Sequence, residues 1–427
     1  MTPSRGRVFR GAASIPRVPH GSPGAPGDRA PQTVRPMADD QIDSEADAQA
    51  GLAHVATASF LASRVVPTGG YAVALAGGVA LARVAQVAGA RIGYGASVAA
   101  MLQSIAVLGP SRVSIPLTQA ASAPLLGRLQ ARGAHLAAQL GACAAIRATD
   151  QTLFTLFYIW IVGGLEAYTA TYDAILGRIP GVPDGTAAAV GATVLGLALW
   201  TLSASVVQVL TYRAALRAWP DEPSPDVTRA SSRSSASPAP REDPAPRPRY
   251  DPRALGVAAV VACCVLLATT DWFVLGAVSV WLALAWLTAR ADPAPVRAGL
   301  ALALVLGGGA LFVGLVGGVA VELTLQRALR ATLLVLVATW LRAAAGEQGV
   351  REIARRSLRT VRGVPAMTEA AALLDRLGAG GALGASGRAL VARVRDVPRR
   401  PGTLARAVLD WIVSEARSFE APRAGVA

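Results

Sequence analysis

Lysine is missing from the chain: all 41 basic residues among the 427 are arginine. A P-loop needs a lysine to contact the nucleotide phosphates, so we do not expect this chain to hydrolyse nucleotides through a Walker A motif. A Schiff-base lysine and a Ser-x-x-Lys nucleophile pair are excluded for the same reason. If ATP drives the function of this protein, a separate chain has to bind it.

Cysteine and histidine are also scarce. The three cysteines cannot form a disulfide framework, and Cys263 and Cys264 are adjacent in an apolar run, where cysteine behaves as a small hydrophobic residue. The three histidines, His20, His54 and His135, are too scattered for a zinc site. We therefore predict no metal and no cofactor, and no nucleophile–base constellation indicates an enzyme.

Charged residues make up only 16% of the chain, whereas hydrophobic residues make up 53%. Charges are absent from several windows longer than about 17 residues, which is typical of membrane spans. We therefore predict an all-α fold, a polytopic transmembrane helical bundle of roughly six to eight spans in two halves, with cytoplasmic amphipathic helices.

The spans are placed by their apolar runs. Residues 71–108 form either one tilted span or a hairpin of two short ones, because Arg83 and Arg91 interrupt the run. Residues 109–151, with four arginines among prolines, are expected to be a cytoplasmic connection with short helices. The other predicted spans are residues 152–175, 186–210, 256–287 (two short spans turning at 269–272), 298–321 and 323–341.

Composition shifts divide the chain into five segments. Stretches rich in Pro, Ser, Gly and Arg have too little apolar surface to bury and favour disorder. The predicted segments are a disordered N-terminal tail (1–66), an N-terminal membrane half (67–218), a disordered Pro/Ser/Arg linker (219–253), a C-terminal membrane half (254–345) and a basic cytoplasmic helical tail (346–427). Met37 is an alternative start to Met1.

The arginines indicate an orientation. The connecting segments on one predicted side (109–151, 211–253, 289–297 and 342–427) hold 29 arginines, whereas the opposite loops hold one, Arg178. The positive-inside rule places the basic side, and with it the C-terminus, in the cytoplasm of a plasma (inner) membrane. The net charge of +14 is thus a topology signal, and we expect no nucleic-acid partner. The side of the N-terminus stays open.

Four polar residues within the spans are candidates for an intramembrane role. Glu166 and Asp173 are seven residues apart and share a helix face, which indicates either a proton or cation path or the outer membrane interface. Arg327 and Arg330 share a face near the presumed outer end of the last span. They either pair with Glu322 or another helix's acid, or extend to the interface.

The cytoplasmic tail carries the basic residues of a candidate docking surface. Residues 347–362 combine an apolar side with five arginines, and further apolar stripes follow at 371–377 and 404–412. Basic amphipathic helices beside a membrane bind either anionic lipid or a soluble partner. The glycine-rich stretch 378–387 follows no strand and matches no dinucleotide fingerprint, so we expect it to be a linker.

Residues 250–420 resemble the transmembrane T component of energy-coupling-factor (ECF) transporters, which are ABC-type importers. A short apolar hairpin leads into a basic loop, and an arginine-bearing span then continues into long cytoplasmic helices with Ala354-Arg355 and Arg362-Gly363 as the nearest matches to the family's Ala-Arg-Gly-like motifs. The resemblance implies that this chain couples separate ATPase subunits to solute uptake. It also implies other membrane subunits as partners. The partner-coupling residues it implies are Arg351, Arg355, Arg356, Arg359, Arg362 and Gly363.

A second class of function stays open beside transport. The chain is alternatively a non-transport membrane scaffold or regulator whose basic tail binds lipid or another complex. The N-terminal half is either a fused substrate-binding membrane subunit or an unrelated accessory bundle.

Overall fold

The computed structural model describes residues 37–64, 70–109, 114–176, 179–181, 184–219, 250–288, 293–361, 363–377, 380–397 and 401–420. Within these ranges the regular secondary structure is helical throughout. The chain divides into two units, residues 1–42 and 43–427, and all packing described below lies within the second.

Fourteen α-helices form in the described residues. The first seven are α1 (Met37–Ala62), α2 (Gly70–Ala88), α3 (Ala90–Leu108), α4 (Ser114–Ala131), α5 (Leu136–Phe157), α6 (Leu165–Ile175) and α7 (Gly185–Arg217). The next four are α8 (Pro252–Ala268), α9 (Trp272–Thr288), α10 (Pro293–Val316) and α11 (Val321–Thr360), and the last three are α12 (Pro365–Arg376), α13 (Gly380–Asp396) and α14 (Pro401–Glu420). An all-helical fold agrees with the prediction.

Five helices are long and apolar enough to cross a membrane: α2, α3, α7, α10 and α11. The bent pair α5–α6 passes the same test as a sixth, and α8 and α9 are shorter apolar helices. Large apolar side chains cover the outside of several of these helices, and Phe273 and Leu287 on α9 are both 84% exposed. An apolar surface of this kind is suited to lipid rather than water.

The region before residue 67 differs from the expected disordered tail. Residues 37–62 form helix α1, and its apolar residues from Ala50 to Phe60 belong to the main core together with α2 and α14. Alternating small residues allow this close packing, because Gly51 lies against the backbone of Ala416. Burial of this face stabilises a segment whose composition alone favours disorder. Residues 1–36 lie outside the described residues.

Three other segments also depart from the expectations or refine them. Residues 71–108 form two helices that break at Gly89, which has φ 89°. Residues 114–157 are two long helices packed on α2 and α7 rather than a loose connection. The predicted glycine-rich linker is helical from Gly380, because Leu383 and Leu390 bury an apolar side in the core. Most of the predicted 219–253 linker, residues 220–249, lies outside the described residues.

The helix pair α10–α11 packs through a ridge of glycines facing a row of threonines. A Cβ on any of three α10 glycines would lie within 2.4 Å of a threonine side chain of α11. The facing pairs are Gly299 with Thr339, Gly307 with Thr332 and Gly314 with Thr324. Small residues of this kind let membrane helices approach closely where the hydrophobic effect between them is weak.

The C-terminal helices α13 and α14 are joined to α1 by a buried polar contact. The Ser386 hydroxyl on α13 donates to Glu415 of α14 and lies 3.2 Å from His54 Nε2 on α1. Burial lowers the pKa of His54 from 6.5 to about 4, because the desolvated ring is costly to protonate. His54 is therefore neutral at physiological pH.

Candidate functional site

A break in the helix that follows α5 forms the centre of the site. Helix α5 runs into a π-helix over Tyr158–Gly163, Gly164 adopts φ 82° and ψ 150°, and α6 begins at Leu165. The two helical parts are bent by 100°. A π-helix and a glycine in this conformation both interrupt the i→i−4 hydrogen bonds, so carbonyl groups at the end of the first part lose their partners.

Two arginines of α11 donate hydrogen bonds to these carbonyls. One terminal nitrogen of Arg330 donates to the oxygens of Trp160 and Ile161, each at 2.8 Å, and Arg327 donates to the oxygen of Gly163. The C-terminal end of a helix carries a partial negative charge, which a cation stabilises. Arg330 is only 4% exposed, so these carbonyl oxygens take the place of water as acceptors for its guanidinium. We call Arg327, Arg330 and the three carbonyls the arginine clamp.

Gly164 is required at the break for two reasons. Its positive φ belongs to a region that only glycine adopts without strain. In addition, a Cβ at this position would lie 2.3 Å from the guanidinium of Arg327. The glycine thus permits both the bend and the approach of the arginine.

The two acids near the break have separate positions. Glu166 is exposed in the first turn of α6, where a negative charge is favourable to the helix. The Asp173 carboxylate accepts a hydrogen bond at 2.8 Å from the backbone N–H of Gly185 and so caps the start of α7. Neither acid pairs with Arg327 or Arg330 in the described part of the chain. The shared-face proton or cation path therefore stays a prediction, with Glu166 the more accessible member.

Glu322 is also not the partner of the arginines. Its carboxylate accepts a hydrogen bond at 3.0 Å from the indole N–H of Trp272, at the start of α9. This contact joins the ends of α9 and α11 at the predicted outer side. Within the described residues Arg327 and Arg330 pair with no acid, and they donate instead to backbone oxygens of the helix that precedes Gly164.

The predicted coupling residues lie beyond a kink in α11. Gly346 adopts φ 67° and ψ 176° inside the helix, at the predicted start of the cytoplasmic tail. Arg351 donates to the carbonyl oxygens of Leu374 at 2.6 Å and Leu377 at 3.2 Å, and so caps the end of α12. This arginine holds α12 in place through its side chain.

The remaining arginines of this group form a network of ion pairs with two acids. Glu352 pairs with Arg355 at 2.6 Å and with Arg356, and Asp375 of α12 lies 3.8 Å from Arg355 and 3.7 Å from Arg359. The Arg359 side chain is still 59% exposed, so it remains accessible to a partner. Gly363 is exposed with φ 104°, and Arg362 lies outside the described residues.

One helix carries both groups of arginines. Arg330 and Gly346 are 16 residues apart, which corresponds to about 24 Å of helix rise. This is most of the thickness of a bilayer's hydrocarbon core. Helix α11 therefore carries the arginine clamp towards one end and the ion-pair network beyond the Gly346 kink.

We compared the chain with known proteins and found no match. No protein-family model, no curated protein and no solved structure matches this chain. The function is therefore argued from the residues and their geometry.

A second buried arginine, Arg147, is not singled out by the sequence. It lies in the region expected to be a cytoplasmic connection, yet it is 2% exposed between α2, α5 and α7. The sequence feature that indicates its burial is its position one helical turn after Cys143, in a run of small apolar residues. An arginine between Ile146 and Ala148 on a long helix is easily mistaken for an interfacial one.

Proposed function

We propose that this chain is a multi-pass integral membrane subunit of an ABC-type transporter of the energy-coupling-factor kind, which couples separate ATPases to solute uptake. The observation that carries the proposal is that one element, α11, bears the arginine clamp before the Gly346 kink and the exposed Arg359 after it. A coupling subunit needs an element that contacts both the membrane site and the ATPase surface. Helix α11 has residues in both places.

The arginine clamp supplies the membrane end of the coupling. Discontinuous helices are common at the substrate sites of transporters, because their ends present unpaired polar groups within the membrane. Here the helix end is held by hydrogen bonds from Arg327 and Arg330, so a displacement of α11 has to break or remake them. An event at the cytoplasmic arginines thereby changes the conformation of the broken helix.

The membrane orientation belongs to the same proposal. The turn between α8 and α9 faces the outside and the exposed Arg359 faces the cytoplasm, as the arginine distribution requires. The test uses a background in which the three native cysteines are replaced, with one cysteine introduced at a time. Asp271→Cys should react with an impermeant maleimide in cells with an intact inner membrane. Arg359→Cys should react only after permeabilisation, and the reverse pattern would contradict the orientation.

Purification in mild detergent tests the coupling role directly. The full-length chain carrying an affinity tag should recover ATPase subunits from its native membrane. Reversal of charge at the exposed position, Arg359→Glu, should reduce this recovery severalfold, whereas Arg406→Glu on the exposed side of α14 serves as the matched control and should not. Recovery of no ATPase with the native chain would refute the proposal.

One observation favours the alternative of a scaffold or regulator. Arg351, Arg355 and Arg359 all contact groups of their own chain, so their first role is to hold the cytoplasmic helices together. In that case the exposed arginines bind anionic lipid. Binding to vesicles that contain anionic lipid would then persist without any ATPase partner, and Arg359→Glu would weaken it.

A further inference from the structure

A buried polar cluster lies among α2, α4, α5 and α7, outside the site described above. Arg147 of α5 donates to the Tyr71 hydroxyl at 2.8 Å and to the Gln208 side-chain oxygen. The Gln208 amide donates to Ser122 at 2.7 Å. One helical turn further along α7, Tyr212 donates to Gln119 at 2.7 Å. The cluster therefore connects four helices through hydrogen bonds.

Arg147 is the only charged group that these bonds bring into the cluster. It is 2% exposed, and its guanidinium also lies 5.4 Å from the centre of the Tyr71 ring. Its hydrogen-bond acceptors are neutral, and no Asp or Glu among the described residues forms an ion pair with it. A buried cation without a counter-charge is costly, whereas pairing with an anion offsets its desolvation.

The same cluster contains buried polar atoms without a partner in the described residues. These are Arg147 Nε, the Gln119 amide nitrogen and the Ser205 hydroxyl, which belong to α5, α4 and α7. Gln119 and Ser205 are both fully buried. Buried donors are nearly always satisfied in native proteins, so these three donors in the cluster call for an acceptor.

The burial of the cluster limits the size of that acceptor. Gln119, Ser122, Ser205 and Gln208 are each 0% exposed. The helices are also in close contact here, since a Cβ on Gly78 would lie 1.5 Å from the Tyr212 hydroxyl oxygen. A lipid headgroup or an organic acid is too large for such closely packed helices.

We propose that Arg147 and its neighbours form a binding site for a small monovalent anion of the size of chloride. Arg147 supplies the charge, and Arg147 Nε, the Gln119 amide and the Ser205 hydroxyl supply the hydrogen bonds. The site is independent of the ATPase-coupling role and stands whether the chain is a transporter subunit or a scaffold. Its occupant neutralises the core of the N-terminal half.

The test is the thermal stability of the purified full-length chain in detergent at constant ionic strength. Chloride replaces gluconate stepwise, and unfolding is followed by tryptophan fluorescence. A ligand that binds only the folded state raises Tm in proportion to the logarithm of its concentration above Kd. We expect a rise of a few degrees with chloride or bromide and none with gluconate.

Two variants assign the effect to the cluster. Arg147→Gln should abolish the chloride response, whereas Arg132→Gln, an exposed arginine of the same half, should keep it. Gln208→Glu places a carboxylate on the guanidinium itself, so Tm in gluconate should rise and the chloride response should disappear. This variant decides the question if Arg147→Gln does not fold. A native chain without a chloride response, or a response that persists in Gln208→Glu, would overturn the proposal.

Discussion

Replacement of Gly164 by alanine tests the arginine clamp quantitatively. A non-glycine residue at φ 82° and ψ 150° costs about 1–3 kcal/mol in backbone strain. The new Cβ also displaces the Arg327 guanidinium, which lies 2.3 Å from its position. Loss of the charge-assisted hydrogen bond to the Gly163 oxygen costs about 1.5–3 kcal/mol more. We expect Gly164→Ala to lower the free energy of unfolding by about 2.5–6 kcal/mol.

Gly89 provides a matched control for the strain. It also separates two helices, with φ 89° and ψ 168°, and a Cβ there would meet nothing within 4 Å. Gly89→Ala should therefore cost only the strain, about 1–3 kcal/mol. The difference between the two variants isolates the displaced arginine.

A double-mutant cycle of Gly164→Ala with Arg327→Ala measures the coupling free energy between the two positions. Once Arg327 is absent, Gly164→Ala should cost no more than Gly89→Ala, so the coupling free energy between the two positions should be about 2 kcal/mol. The measurement is unfolding of the purified chain in mixtures of mild detergent and sodium dodecyl sulfate, followed by tryptophan fluorescence. Additive effects, within about 0.5 kcal/mol, would refute the clamp.

Three further predictions follow from the contacts. Arg351→Gln should release α12 and make the segment after residue 361 cleavable by added protease, whereas Arg359→Gln, whose side chain is 59% exposed, should leave the cleavage pattern unchanged. Below pH 6.5 the unfolded chain protonates His54, whereas the folded chain resists down to about pH 4, so stability should fall across this window by at most about 3 kcal/mol. The protection factors of the α1 amides, which correct exchange rates for their intrinsic pH dependence, should fall as the pH falls, and His54→Gln should remove that dependence. Gly314→Ala should lower Tm because its Cβ meets a threonine 2.4 Å away, whereas Gly308→Ala, with open space around it, should be neutral or stabilising.

The helices themselves were largely predictable from the sequence. The turn between the two short apolar helices falls at residues 269–271, within the predicted 269–272, and α7 contains the predicted span 186–210. These elements have long runs without charge, so composition alone defines them. Residues 37–62 and 380–396 were less predictable because each is helical through contacts with distant helices, which local composition does not encode.

The site was only partly predictable. The sequence places Arg327 and Arg330 on one face but contains no sign of their acceptors, which are backbone oxygens about 170 residues earlier in the chain. A π-helix has no residue signature comparable to a charged pair. The same limit applies to Arg147, whose burial results from the packing of α4 and α5 against α7 rather than from its neighbours in sequence.

The glycine ridge of α10 restricts how the C-terminal half can change shape. The facing pairs recur every seven or eight residues on both helices, so a shift of one residue along the axis would bring larger side chains against the threonines. The two helices therefore resist sliding past each other by one residue, and we expect α10 and α11 to move together. A displacement of α11 would then have to be accommodated by a change in the conformation of the broken helix α5–α6, to which Arg327 and Arg330 are hydrogen-bonded.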